Sequence, residues 1–87
     1  MYVIIAYDVN VARVNRVKKF LRKHLNWVQN SVFEGELTKA DFEEVKLGLN
    51  EIIDREEDMV VFYILRSEKA LKKEVLGFDK SKIDEII

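Results

Sequence analysis

The chemistry open to this chain starts from one carboxylate. Asp8 closes an unbroken apolar run, Tyr2-Val3-Ile4-Ile5-Ala6-Tyr7. After it, between Val11 and Leu25, come six basic residues (Arg13, Arg16, Lys18, Lys19, Arg22 and Lys23) and no acidic one. A carboxylate is a hard oxygen ligand of the kind that Mg2+ or Mn2+ prefers. Such a cation polarises a phosphodiester and lowers the pKa of a bound water. A helix face of one sign suits phosphate backbones, whereas ordinary surface helices mix signs. The pattern is that of a metal-assisted phosphodiesterase acting on nucleic acid. In it Asp8 is the catalytic and metal-holding residue, Arg16 orients a phosphate, and Arg13, Lys19 and Arg22 extend the basic surface. One carboxylate is a thin site. Two copies of Asp8 facing each other repel unless a cation or a shared proton lies between them, so the reading depends on a homodimer. The structural alternatives are that Asp8 caps the helix that follows and that the basic face is only solvated.

Other chemistries are excluded. There are no cysteines, so disulfides and thiolate metal sites are ruled out. His24 is the only histidine and falls at the edge of an apolar helical arc, where it reads as a packed or surface residue. The chain has no glycine-rich phosphate loop, no His-Glu-x-x-His motif and no nucleophile elbow. No apolar run approaches the roughly 20 residues of a membrane span, and no basic lead precedes the first run, so a cytoplasmic location without a membrane partner is expected. The net charge of −1 conceals a division. Eight acidic residues lie between Asp41 and Asp58 against Lys46 and Arg55, so only the first block attracts a polyanion.

The elements that must carry these residues follow from periodicity. Tyr2 to Asp8 is a strand, with Val3, Ile5 and Tyr7 on one face and Tyr2, Ile4, Ala6 and Asp8 on the other. Val11 to Leu25 is a helix whose buried stripe is Val14, Val17, Phe20, Leu21 and Leu25. Asp8 or Asn10 caps it, and Asn26 stops it. Trp27 to Leu37 is extended and is interrupted at Gln29-Asn30-Ser31, giving either a hairpin or one bent strand. Thr38 caps a second helix, with Asp41 in a capping box and Leu37 and Phe42 as a staple. Phe42, Val45, Leu49, Ile52 and Ile53 form its stripe, and Gly48 within it implies a close contact. Met59 to Leu65 is a second strand apolar on both faces. Ser67 to Lys73 is a polar connector, Lys73 to Phe78 a short strand, and the tail ends in Ile83, Ile86 and Ile87.

The whole of residues 1–87 is therefore expected to form one α+β domain of the ferredoxin-like βαββαβ type with an additional C-terminal strand. Both helices cover one sheet face. The other face stays open and apolar, which a monomer rarely tolerates. A homodimer through the open face is expected, with residues 79–87 either staying on their own chain or packing on the partner. A recognition module that stacks RNA bases on its sheet is disfavoured, because Val32-Phe33-Glu34-Gly35-Glu36 carries two acids where that motif is basic or aromatic.

These residues resemble CRISPR-associated protein 2. The resemblance rests on a strand ending Tyr7-Asp8, a helix carrying Arg16-Val17, and the run Val28-Gln29-Asn30-Ser31-Val32-Phe33-Glu34-Gly35. It extends over essentially the whole chain and is greatest toward archaeal members. It implies a ferredoxin-like homodimer that joins the CRISPR integrase, binds DNA during spacer acquisition and acts mainly as a scaffold between integrase subunits. It also implies an Mg2+-dependent (or Mn2+-dependent) endonuclease activity on RNA or double-stranded DNA. Asp8 would bind the metal between protomers, Arg16 maps to the family's helix arginine, and Tyr7, Ser31 and Phe33 support the site. Trp27 stands where some members carry a basic residue, so that phosphate contact is not expected. The rival functions are a scaffold that never cleaves and a small ferredoxin-like regulatory module.

Overall fold

A computed structural model describes residues 1–84. The chain runs β1 (Tyr2–Asp8), α1 (Val11–Arg22), β2 (Asn26–Gln29), β3 (Val32–Glu36), α2 (Lys39–Ile52), β4 (Met59–Leu65), a 3-10 turn (Glu68–Ala70) and a short α3 (Ser81–Asp84). The strands form one antiparallel sheet in the order β2-β3-β1-β4. This is the expected α+β ferredoxin-like arrangement. The extended stretch after α1 is a hairpin and not a bent strand, with a register shift between Trp27 and Gln29. Its turn uses Ser31 at φ 64°, in the left-handed region that few non-glycine residues adopt.

The core lies between the sheet and the helices. Val3, Ile5, Tyr7 and Phe33 from the sheet meet Val17 and Leu21 of α1 and Phe42, Val45 and Leu49 of α2, all buried. The apolar parity read from the sequence supplies each of them. α1 ends at Arg22, three residues before the expected Leu25, and Asn26 opens β2 instead of stopping the helix. Leu25 is nonetheless buried, because its N–H still reaches the Leu21 carbonyl at 2.9 Å. Thr38 caps α2 by accepting from the Asp41 N–H at 3.1 Å. Gly48 lets the helices close, since a Cβ there would run into the Phe20 ring.

The opposite sheet face carries Tyr2, Ile4, Ala6 and Asp8 of β1, with Met59, Val61, Tyr63 and Leu65 beside them on β4. Among the described residues no helix covers it across β1 and β4, and Met59 and Tyr63 are more than half exposed. Across β2 and β3 the chain beyond β4 returns, placing residues 73–81 against Val28, Val32 and Glu34.

One expectation fails at the C-terminal side. Lys73 to Phe78 forms no strand within the described residues, and 71–80 has no regular structure beyond a bend and a turn. Gly77 takes φ +95°, which breaks an extended run, and the stretch pairs with no strand of its own sheet. Val75, Leu76 and Phe78 are left exposed. The Ser67–Lys73 connector is helical only for the one turn of Glu68–Ala70. The expectations for Ile86 and Ile87 fall outside the described residues, as does the side chain of Ile83. Among the described residues no helix is long and apolar enough to cross a membrane.

Candidate functional site

β1 delivers Asp8 to the sheet end from which α1 departs. The chain alternates faces, so Asp8 points to the side away from the helices, with Ile4 and Ala6. It is exposed and pairs across the ladder with Met59. It is not the helix cap. That role belongs to Asn10, whose side-chain oxygen accepts from the Ala12 N–H at 2.9 Å. The Asp8 carboxylate has no hydrogen-bond or ion-pair partner among the described residues. Its oxygens are open for a ligand.

The three supporting residues gather at the same end. The Tyr7 N–H donates to the Ser31 carbonyl at 3.0 Å, which ties the hairpin turn to the end of β1. The Tyr7 and Phe33 rings lie 6.3 Å apart and 23° from parallel. Phe33 is fully buried and Tyr7 nearly so, which makes them core residues and not base-stacking ones. Burial raises the Tyr7 phenol pKa, and the charge of Arg22 partly opposes the shift.

The basic block divides. Arg16, Lys19 and Arg22 are exposed on α1. Arg13 is not part of that face, and this corrects the sequence reading. Its Nε donates to Asp58 Oδ2 at 2.7 Å, and one terminal nitrogen reaches Asp58 Oδ1 at 3.1 Å and Glu57 Oε2 at 3.2 Å. The guanidinium fork is occupied by carboxylates.

Asp58 was hidden in the acidic cluster that precedes β4. Its side chain has no exposure. Beyond Arg13 it accepts from the Asn10 N–H and the Asp54 N–H, both at 2.9 Å. The Arg13 hydrogen bonds, with help from these two backbone donors, hold its carboxyl well below the usual carboxylate range against the opposing effect of burial. A second carboxylate escaped notice as well. Glu34 of β3 is buried on the face away from the helices. It accepts from the Tyr2 hydroxyl at 2.5 Å and the Lys73 ammonium at 2.6 Å. Burial, and then the hydrogen bond to Glu34, push the Tyr2 phenol pKa well above its ordinary range. The sequence signal for both was an acid abutting or inside a strand with a base far along the chain, a pattern without local periodicity.

Trp27 packs toward the helix side of the sheet, and its indole N–H is buried with no partner among the described residues. The His24 ring sits 5.1 Å from Phe20, the packed role expected of it.

A divalent cation is the ligand these donors could take. Among the described residues no three His, Cys, Asp or Glu side chains converge. Among the described residues, Asp8 offers carboxylate oxygens without a partner at the end of an apolar face, which fits one side of a hard-cation site but does not complete one.

Comparison with known proteins gives a consistent result. A family model described as CRISPR associated protein Cas2 matches residues 1–73. The protein "CRISPR-associated endoribonuclease Cas2 2" of Archaeoglobus fulgidus is 70% identical over 92% of this chain and 87% of its own. "CRISPR-associated endoribonuclease Cas2" of Thermococcus kodakarensis is 62% identical over the full length of both chains. Among solved structures, "Crystal structure of cas2" superposes with a TM-score of 0.85 at 53% identity, covering 93% of this chain and 91% of that one.

Proposed function

This chain belongs to the CRISPR-associated protein Cas2 family, and from that premise we propose that it works as a homodimer binding nucleic acid, with a conditional endonuclease activity centred on Asp8. The observation that carries the reading is the placement of an unpartnered Asp8 carboxylate on an apolar sheet face that, among the described residues, no helix covers across β1 and β4. Stacking two such faces buries Ile4, Ala6, Val61 and Tyr63 against a second copy and directs the two Asp8 side chains into the same interface. The exposed tail residues Val75, Leu76 and Phe78 have a matching destination on that partner.

In this dimer the paired Asp8 residues hold Mg2+ or Mn2+. The ion supplies Lewis-acid polarisation of a phosphodiester and a more acidic bound water. Arg16 and Lys19, with Arg22 beside them, hold phosphates and orient the strand, while Arg13 takes no part. Tyr7 and Phe33 keep the end of β1 rigid by packing, and the Ser31 carbonyl holds the Tyr7 N–H. The relatives named as endoribonucleases support RNA as a substrate, and duplex DNA is the other. The larger role is in adaptation, bridging subunits of the CRISPR integrase and holding DNA on the basic surface of α1, in the cytoplasm.

The test is a panel of single-stranded RNA, single-stranded DNA and duplex DNA, run with Mg2+ and Mn2+ on wild type and Asp8→Asn. Metal-dependent cleavage that falls by at least a hundredfold in the variant is the expected outcome. Equal activity in both sinks the role of Asp8. Light scattering at the mass of one chain, 10.3 kDa, would remove the dimer. A second reading, a scaffold that binds without cutting, is favoured by the lack, among the described residues, of three His, Cys, Asp or Glu side chains placed to hold a metal ion. It predicts salt-sensitive duplex binding with no cleavage under any metal.

A further inference from the structure

We propose that Asp58 is a positioning residue for Asp8, fixing the β1–α1 junction so that the Asp8 carboxylate meets its ligand in one orientation. The inference rests on the reading of Asp8 given above. Asp8 makes no side-chain bond among the described residues, so its direction is set by its backbone alone. That backbone is held on both sides by one region. Met59, directly after Asp58, is the ladder partner of Asp8. Asn10, two residues after Asp8, gives its N–H to Asp58 Oδ1 at 2.9 Å. Only Val9 lies between the two fixed points.

Five further hydrogen bonds stiffen the junction. The Asn10 side chain caps α1 and donates to Glu57 Oε1 at 2.5 Å. Arg13, in the first turn of α1, closes its fork on Asp58. Asp58 Oδ2 also takes the Asp54 N–H, which fixes the turn into β4. The α2–β4 turn is thereby riveted to the β1–α1 junction through one carboxylate that solvent does not reach. The same contacts settle a charge problem. Asp58 and Glu57 are spent on Arg13 and Asn10, so they serve as anchors in place of competing for a cation at Asp8. Bidentate arginine is suited to this because its planar fork matches both oxygens at once.

The test uses the intact dimer and a readout apart from catalysis. Mn2+ binding is measured by calorimetry and by electron paramagnetic resonance for wild type, Asp8→Asn, Asp58→Asn and Leu49→Ala. Asp58→Asn keeps the shape of the side chain but leaves one acceptor oxygen for four N–H donors. It is expected to weaken Mn2+ binding about tenfold, the usual penalty for losing an outer support of a metal ligand, while the dimer mass is unchanged. Leu49→Ala removes buried core volume without removing any donor to Asp58 and lowers Tm at least as much, yet leaves Mn2+ affinity within about twofold. If Asp58→Asn is too unstable to purify, Arg13→Lys replaces it, keeping the charge and losing the fork, with an expected weakening of about threefold. Wild-type Mn2+ affinity in the Asp58 or Arg13 variant would overturn the proposal, as would an equal loss in Leu49→Ala. If Asp8→Asn binds Mn2+ like wild type, the metal reading itself falls, and the positioning role with it.

Discussion

Two buried carboxylates hold the two ends of β1, and they are built from different parts. Asp58, at the Asp8 end, uses both oxygens for two backbone N–H groups and a bidentate arginine. Glu34, at the Tyr2 end, receives a phenol and an ammonium on a single oxygen. Every donor to Asp58 belongs to the layered body of the domain. One donor to Glu34 comes from Lys73, where the irregular tail begins. The first arrangement is therefore a rivet, in which geometry is dictated by main chain. The second is a latch, in which one partner is a flexible point charge that can leave.

That contrast can be broken most directly by truncation. Asp58→Ala leaves an arginine and two backbone donors without their acceptor, and it is expected to lower Tm by roughly 10 °C or more. Glu34→Ala, freeing only side-chain donors, should lower it by about half as much in the same calorimetric scan. Equal losses would mean that the two sites are alike after all.

The second expected effect is that the ends fail at opposite extremes of pH. Asp58 has a depressed folded-state pKa, so its contribution is full above the ordinary carboxylate value and is lost as pH falls from about 4. Tyr2 has a raised folded-state pKa, so its contribution is full below the ordinary phenol value and is lost as pH climbs from about 10. Chemical denaturation across pH should show Asp58→Asn flattening the acid limb and Tyr2→Phe flattening part of the alkaline limb. Tyr7, whose phenol is raised by burial, sustains the remainder.

A smaller effect is expected at neutral pH for Tyr2→Phe, which removes a hydrogen bond to a charged acceptor and should cost about 2 kcal/mol in a urea titration. The smallest belongs to Lys73→Met. The Lys73 side chain is 43% exposed, so its ion pair with Glu34 is worth about 1 kcal/mol or less. A loss as large as that of Tyr2→Phe would show that the latch is as rigid as the rivet.

The contrast also marks what could be read from the sequence. β1, α1, α2 and β4 were legible because each repeats its apolar residues at the period of its own backbone, and Thr38 and Gly48 announced a cap and a close helix contact. Asp8 was legible because it ends an apolar run. The division of the basic block was not. Counting charges along α1 groups Arg13 with Arg16, whereas the fold brings Arg13 to an acid 45 positions away. Glu34 resembled an outward strand residue until the tail crossed over it. Val75, Leu76 and Phe78 have enough apolar character to suggest a strand, but a strand needs a pairing partner, and this segment pairs with neither edge of its own sheet.

Trp27 is the only tryptophan, and it lies on β2, the edge strand bonded to β3 alone. Its buried indole N–H has no partner among the described residues, so the ring is held by packing and not by a directional bond. The molecule therefore carries its single tryptophan fluorophore at the margin of its sheet, where peeling of the hairpin would expose it. Its emission would shift red when β2 detaches, reporting the loss of that edge separately from the helical signal in circular dichroism.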